Sequence, residues 1–409
     1  MRFLHIADLH FGKYMNEVAL VKEDQPYWKN EFIKTVRETK ADAVVIAGDV
    51  YDRSTPSSEA VALLDEFITE LAEMNVPVLI AAGNHDSGQK LGFASSILSK
   101  NGVHISGVIP GNGIIPHVTL RDEYGDVVFW LMPYIFPALV NDMLGTDFRD
   151  YDTACRELLK YQNIDTSVRN VMVAHQNVTR GGTEAERGGS ETMVAGVGGI
   201  DYSAFEDFEY TALGHIHAAQ QVGPLNIRYA GSPLCYHFDE AKYSEKGPVL
   251  VELGAKGGKV STEIIPIRPL HKVRVLEDTY KNIINELVSG KYKNEYLKAK
   301  ITDCKVRPDL AKELRAAAEA SGNRMLEITG IYELKRNEEN LRDSIACMGG
   351  KSVTEHFADF YALMRDGAQP DEKELELIDH VSELLGIDDI DAVADRIIEY
   401  SVKQEGRNE

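Results

Sequence analysis

Two carboxylates, four imidazoles and one amide stand at the ends of short apolar runs in this chain, and together they form a ligand set for divalent cations. FLHIADLH presents Asp8 and His10, and AVVIAGDVYD presents Asp49. VLIAAGNHD presents Asn84, followed by His85 and Asp86; NVMVAHQN presents His175; YTALGHIH presents His215 and His217. Each run stops at a small residue (Ala7, Gly48, Gly83, Ala174 or Gly214), which lets backbones approach while the next side chain turns into a crevice. In D-x-H and H-x-H the two donors fall on one side of an extended segment, because side chains alternate along a strand. The seven donors are too many for one ion and suit two. Mixed nitrogen and oxygen donors favour manganese, iron or zinc over calcium, or over magnesium held largely by water. A lone D-x-H is common by chance; five such motifs in one order are not.

The remaining histidines divide differently. His5 alternates within the first apolar run and is expected to be packed. His104, His117, His271, His356 and His380 have no ligand-like neighbours in sequence. His237, in AGSPLCYHFDE, is a candidate to flank the site.

Such donors must be positioned by the elements around them. Apolar runs at 3–7, 43–47, 76–82, 127–132, 170–174 and 210–213 read as strands separated by helical patterns or loops, as in a layered α/β domain. Open sheets of this class bind ligands beyond the carboxyl ends of their strands, where these motifs fall. Val61, Leu64, Ile68 and Leu71 mark a helix over 57–74 with Pro56 near its start. Two further strands are expected near 226–230 and 248–253, and Pro266 and Pro269 mark a boundary. Beyond it, 273–276, 296–301 and 325–328 read as strands, with helices at 279–288 and 308–320. Two apolar stripes, Val353, Phe357, Phe360, Tyr361 and Met364, then Leu377, Ile378, Val381, Leu384 and Leu385, give the rest a helical reading. The Gly-rich segment 180–199 is too long for a tight turn and is expected to lie as a loop near the site.

Composition narrows the class. With 409 residues, 44% hydrophobic and 27% charged, the chain is long enough for two or three ordinary globular domains. Asp8 interrupts the N-terminal apolar stretch where a signal peptide needs none, and no apolar run approaches the ~18 residues of a membrane span. The expectation is a soluble, cytoplasmic protein without membrane contact. Cys155, Cys235, Cys304 and Cys347 are scattered and read as reduced packing residues. The net charge of −21 opposes a nucleic-acid partner until it is divided along the chain. Residues 269–336 hold 14 Lys and Arg against 10 Asp and Glu, whereas 337–409 hold 7 against 19. The middle segment is the basic one and suits phosphate; the tail does not.

The ordered set D-x-H, GD, GNHD, H and GHxH resembles the calcineurin-like metallophosphoesterase superfamily. Over nearly the whole chain, MRFLHIADLHFGK, VVIAGDVYDRSTPSSEA, ALGHIHAAQ, YAGSPLCYHFDE and EHFADFYALMRDG resemble its SbcD branch, the nuclease subunits of SbcCD exonucleases. The resemblance implies a layered β-sandwich flanked by helices over 1–268, a small α/β DNA-capping domain over 269–336, and a helical ATPase-binding region over 337–409. It implies that Asp8, His10, Asp49 and His217 hold one metal, that Asp49, Asn84, His175 and His215 hold a second, and that both ions are manganese. His85 would meet the scissile phosphate, with Asp52, Asp86 and His237 nearby. It further implies exonuclease action on duplex ends and endonuclease action on hairpins or single strands. The implied partners are DNA and an SbcC-type ABC ATPase with a coiled coil, with the chain a homodimer within a heterotetramer. Archaeal and eukaryotic relatives carry a histidine just after the bridging aspartate; Asp52 stands there, so that role is not carried over.

Two other functions compete. A stand-alone phosphoesterase for small nucleotides or phosphomonoesters would share the metal core but leave the basic unit and the apolar stripes without a use. A non-catalytic scaffold would have no reason to keep all seven donors.

Overall fold

A computed structural model describes residues 1–330 except 184, 187–198, 225 and 244, together with the isolated positions 358, 370 and 375. The two apolar stripes beyond residue 350, with His356, His380 and Cys347, lie outside the described residues. The chain divides into two compact units, one from Met1 to Arg274 and a second beginning at Val275.

In chain order the strands of the first unit's two large sheets are β1 (Arg2–Ile6), β2 (Ala43–Ala47), β3 (Val78–Ala81), β4 (Val103–Ser106), β5 (His117–Asp122) and β6 (Gly125–Met132). There follow β7 (Arg169–His175), β8 (Tyr210–Gly214), β9 (Gln220–Gln221), β10 (Ile227–Tyr229), β11 (Val249–Leu253) and β12 (Val260–Ile264). They form two six-stranded sheets, ordered β12-β11-β1-β2-β3-β4 and β9-β10-β8-β7-β6-β5. Pairing of β1 with β2, β2 with β3, and β7 with β8 is parallel, so the strand ends carrying the candidate donors fall on one edge. Phe3, Val45, Leu79 and Val251 of one sheet share a buried core with Phe129, Val171, Val173 and Tyr210 of the other, so the sheets pack face to face.

Helices flank this sandwich. α1 (Asp24–Thr39) and α2 (Ser58–Glu73) meet through the rings of Trp28, Phe32 and Phe67. α3 (Pro137–Leu144) and α4 (Tyr151–Tyr161) cover Trp130, Met132 and Met172 with Val140, Cys155 and Leu158. Ser57 accepts the N–H of Ala60 and caps α2. The stripe of α2 differs from the expected one: Val61 is 45% exposed, while Ala60, Leu63 and Phe67 are buried with Leu64, Ile68 and Leu71. The buried arc centres between these positions, and Val61 sits about a quarter turn from that centre, just past the arc's edge. Cys155, Cys235 and Cys304 are free thiols.

The second unit carries the greater part of β13 (Lys272–Asp278), with β14 (Glu295–Ile301) and β15 (Arg324–Gly330), in one sheet with β14 central. Its helices are α5 (Tyr280–Val288) and α6 (Pro308–Ala320). Leu276, Ile283, Leu287, Leu297, Ala299, Leu314 and Met325 form its core. No helix among the described residues is long and apolar enough to cross a membrane.

Candidate metal centre

The candidate donors sit where strands end and the backbone turns sharply. Asp8, His10, Asp49 and His215 have φ of 52°, 43°, 49° and 100°, a region that side chains rarely adopt and that gathers at functional sites. The turns lock to one another: Asp8 N–H donates to Gly48 O at 3.0 Å, and His10 N–H to Asp49 O at 2.9 Å. Two glycines make the approach possible. A Cβ on Gly48, whose φ is +84°, would lie 2.3 Å from the His175 ring, and one on Gly83 would lie 2.1 Å from Asp49 Oδ1.

The structure brings all seven donors together. Nε2 of His10 faces Nε2 of His217 at 3.2 Å. Asp49 Oδ2 lies 3.6 Å from His10 Nε2 and 3.4 Å from His175 Nε2, so one carboxylate oxygen reaches both halves of the cluster. Asn84 Oδ1 lies 3.0 Å from His175 Nε2 and 3.3 Å from His215 Nδ1. Asp8 Oδ1 accepts the N–H of His215 at 3.0 Å, whereas its buried Oδ2 has no hydrogen-bond partner. Ligand atoms of Asp8, His10 and His217 lie within 4.8 Å of one another, as do those of Asp8, Asp49 and His175. An orphaned carboxylate oxygen among convergent imidazoles fits a divalent cation.

Electrostatics agree. Burial pushes the Asp8 carboxyl up to about 6, against the rings of His175 and His217. Burial would also raise Asp49, but His175, His10 and His85 hold it well below the usual carboxylate range. Burial drives His10 well below the ordinary imidazole value. It opposes charge on His175 as well, where Asp49 and Asp8 still push the ring up to about 9. Asp49 and Asp8 thus favour positive charge at His175, the place where a cation among these donors would sit. His175 Nδ1–H donates to Ala47 O at 2.9 Å, which leaves Nε2 for the cluster.

Beside the seven, His85 donates from Nδ1 to Asp52 O at 2.8 Å, and its backbone N–H donates to Asp49 Oδ1 at 2.9 Å. Asp86 turns to backbone: it accepts the N–H groups of Gly83, Val50 and Tyr51 at 2.9, 3.1 and 2.9 Å, joining the β3 turn to the β2 turn. The Asp52 side chain holds Lys13 Nζ at 2.7 Å. His237 accepts the N–H of Asp239 at 3.3 Å, at the start of the helical turn Phe238–Lys242. His5, which has no place among the donors, packs between the sheets with Nδ1 3.0 Å from Tyr210 Oη.

Two residues escaped the sequence reading. Glu240, fully buried, accepts from His217 Nδ1 at 3.1 Å. Tyr236 packs its ring edge-on against His10, with centroids 5.4 Å apart, and donates its hydroxyl to Leu9 O. Both lie in YAGSPLCYHFDE, a segment whose polar residues have no regular spacing, so only this stretch as a whole could have pointed to them.

A calcineurin-like phosphoesterase profile matches residues 1–219, and one described as the type 5 capsule protein repressor C-terminal domain matches 268–365. The D subunit of nuclease SbcCD from Staphylococcus saprophyticus is 33% identical over 309 residues, 74% of this chain and 78% of that protein. Its counterpart from Staphylococcus epidermidis is 31% identical over 308 residues, 74% of this chain and 79% of that protein. A solved Thermus thermophilus protein aligns over 64% of this chain and 98% of its own, at 10% identity and a TM-score of 0.38.

Proposed function

Because this chain belongs to the calcineurin-like phosphoesterase family, in its SbcD-type nuclease branch, it is a metal-dependent phosphodiesterase, and we propose that it cuts DNA with a pair of manganese ions. The observation that carries this reading is the convergence of seven metal-capable donors from five strand ends, with one Asp8 oxygen unpartnered among them. Asp8, His10, Asp49 and His217 would hold one ion; Asp49, Asn84, His175 and His215 would hold the other. Asp49 would serve both, because its Oδ2 reaches toward His10 and His175 alike. Divalent ions held there would supply an activated water and stabilise charge at phosphorus.

The protein's own groups do the rest. His85 is assigned to the scissile phosphate. Donation from its Nδ1 to Asp52 O leaves Nε2, on a ring only partly buried, to meet the substrate. Protonated, Nε2–H can pass its proton to the departing 3′-oxygen, help typically worth ~10²–10⁴-fold. The His85 N–H on Asp49 Oδ1 keeps this ring in register with the bridging carboxylate. Asp86 holds the turn that carries both, and Asp52 anchors Lys13 beside it.

The relatives' name, which makes each of them one component of nuclease SbcCD, supports a nuclease that works with a second subunit. We assign residues 1–268 to the chemistry, the basic segment 269–336 to DNA contact, and 337–409 to an SbcC-type ABC ATPase with a coiled coil. In this reading the chain is a homodimer within a heterotetramer, acting in the cytoplasm in DNA repair, recombination and replication. The test is manganese-dependent cleavage of end-labelled duplex DNA beside bis-p-nitrophenyl phosphate. Both should be hydrolysed, and neither after chelation. Hydrolysis of the small diester without cutting of duplex, hairpin or single-stranded DNA would favour a small-substrate phosphoesterase.

A further inference from the structure

We propose that Glu240, backed by Lys246 and Ser232, is a positioning residue that fixes the imidazole of His217 for metal binding. The inference rests on the metal reading above and extends it to residues outside the ligand set. Glu240 is 0% exposed, and each of its oxygens has a separate task. Oε1 accepts from His217 Nδ1 at 3.1 Å. Oε2 accepts from Lys246 Nζ at 2.8 Å and from Ser232 Oγ at 3.0 Å.

The same group also grips the backbone of His217. Its carbonyl accepts Lys246 Nζ and the N–H of Ser232, each at 3.2 Å. Lys246 and Ser232 are themselves joined, Nζ to Oγ at 2.6 Å. Ring and main chain of one residue are therefore held by one triad, in which Glu240 and Ser232 are buried and Lys246 is partly so.

The chemistry of the triad sets the proton. An ionised carboxylate accepts and cannot donate, so the His217 proton must reside on Nδ1. Nε2 then carries the lone pair, and it is Nε2 that faces His10 at 3.2 Å. A carboxylate on the distal nitrogen also makes the ring a stronger donor to a metal than a backbone carbonyl does. His175 provides the contrast within the site, since its Nδ1–H meets Ala47 O instead.

A purely structural role is the competing account. Buried ion pairs contribute little net stability and can often be replaced by apolar residues without loss. That property supplies the test. In full-length protein, Glu240→Leu combined with Lys246→Met removes both charges at similar volume. Long-range proton–nitrogen spectra of the metal-free protein report the His217 tautomer, and calorimetric titration with manganese reports affinity. The wild type should show His217 protonated on Nδ1 and two manganese events. The double variant should stay folded, populate both tautomers, and bind one of the two ions ~10–100-fold more weakly. A folded double variant with the wild-type tautomer and both affinities overturns the proposal. If the double variant does not fold, Glu240→Gln decides: one manganese event weakened by ~10-fold supports the role, and unchanged affinity overturns it. Failure of the wild type itself to bind manganese would instead sink the metal reading.

Discussion

Strand β7 carries a charged or chargeable group at each end, and the two ends are built in opposite ways. At its start Arg169, 1% exposed, donates to Asp122 Oδ2 at 3.0 Å and to the carbonyls of Gly125 and Gly254 at 2.8 and 2.9 Å. The ammonium of Met1 meets the same Asp122 at 2.6 Å and Leu253 O at 2.8 Å. Here protein charge answers protein charge. At the other end, about 20 Å along the strand, His175 enters a cluster with two buried carboxylates. That cluster contains no lysine or arginine among its seven donors, and one Asp8 oxygen is unpartnered. One end is satisfied by the chain itself and stabilises the sandwich; the other leaves a buried carboxylate oxygen without a partner and fits a ligand. A buried polar cluster is thus a stability device or a site according to whether its own members balance.

The comparison breaks most sharply at Asp49. Asp49→Ala should lose both manganese events in calorimetry and reduce hydrolysis to background, because one carboxylate serves both halves of the cluster. Two wild-type binding events in that variant would show that the bridge lies elsewhere. His85→Gln should separate chemistry from assembly. It should retain both ions by elemental analysis, bind DNA, and turn over at least about a hundredfold more slowly. Loss of an ion would make His85 a ligand, and near-normal turnover would pass the proton transfer to water or another residue.

The opposite end should behave as the control. Arg169→Met should cost about 3 kcal/mol in urea unfolding by leaving its partly buried partners unpaired, with manganese affinity unchanged. Its pH dependence follows from Asp122, which Arg169 holds well below the usual carboxylate range. A carboxyl depressed in the folded state contributes fully above its unfolded pKa, near ~3.9, and loses that contribution as pH falls through the folded value. The stability gap between wild type and Asp122→Asn should therefore be constant at neutral pH and narrow below about pH 4. A gap that widens on acidification would mean that Asp122 is not the ionised partner.

Local pattern determined much of this molecule. Apolar runs followed by a small residue and a donor gave away β1, β2, β3, β7 and β8 together with their metal-capable ends, because a strand's alternation and its exit are written in adjacent residues. The edge strands β5 and β12 left no such mark: their half-exposed faces mix Thr, Arg, Glu and Ser with apolar residues. Tertiary structure alone decided which donors meet. His10 and His217 face each other across 207 residues of sequence, and Asp86, adjacent to His85, turns away to bind three backbone N–H groups. Glu240, Lys246 and Ser232 have no common period, and they converge on His217 because the chain after β10 folds back over that ring. A spacing along the chain reports what one element presents, whereas the second nitrogen of an imidazole is answered by whatever another element brings to it.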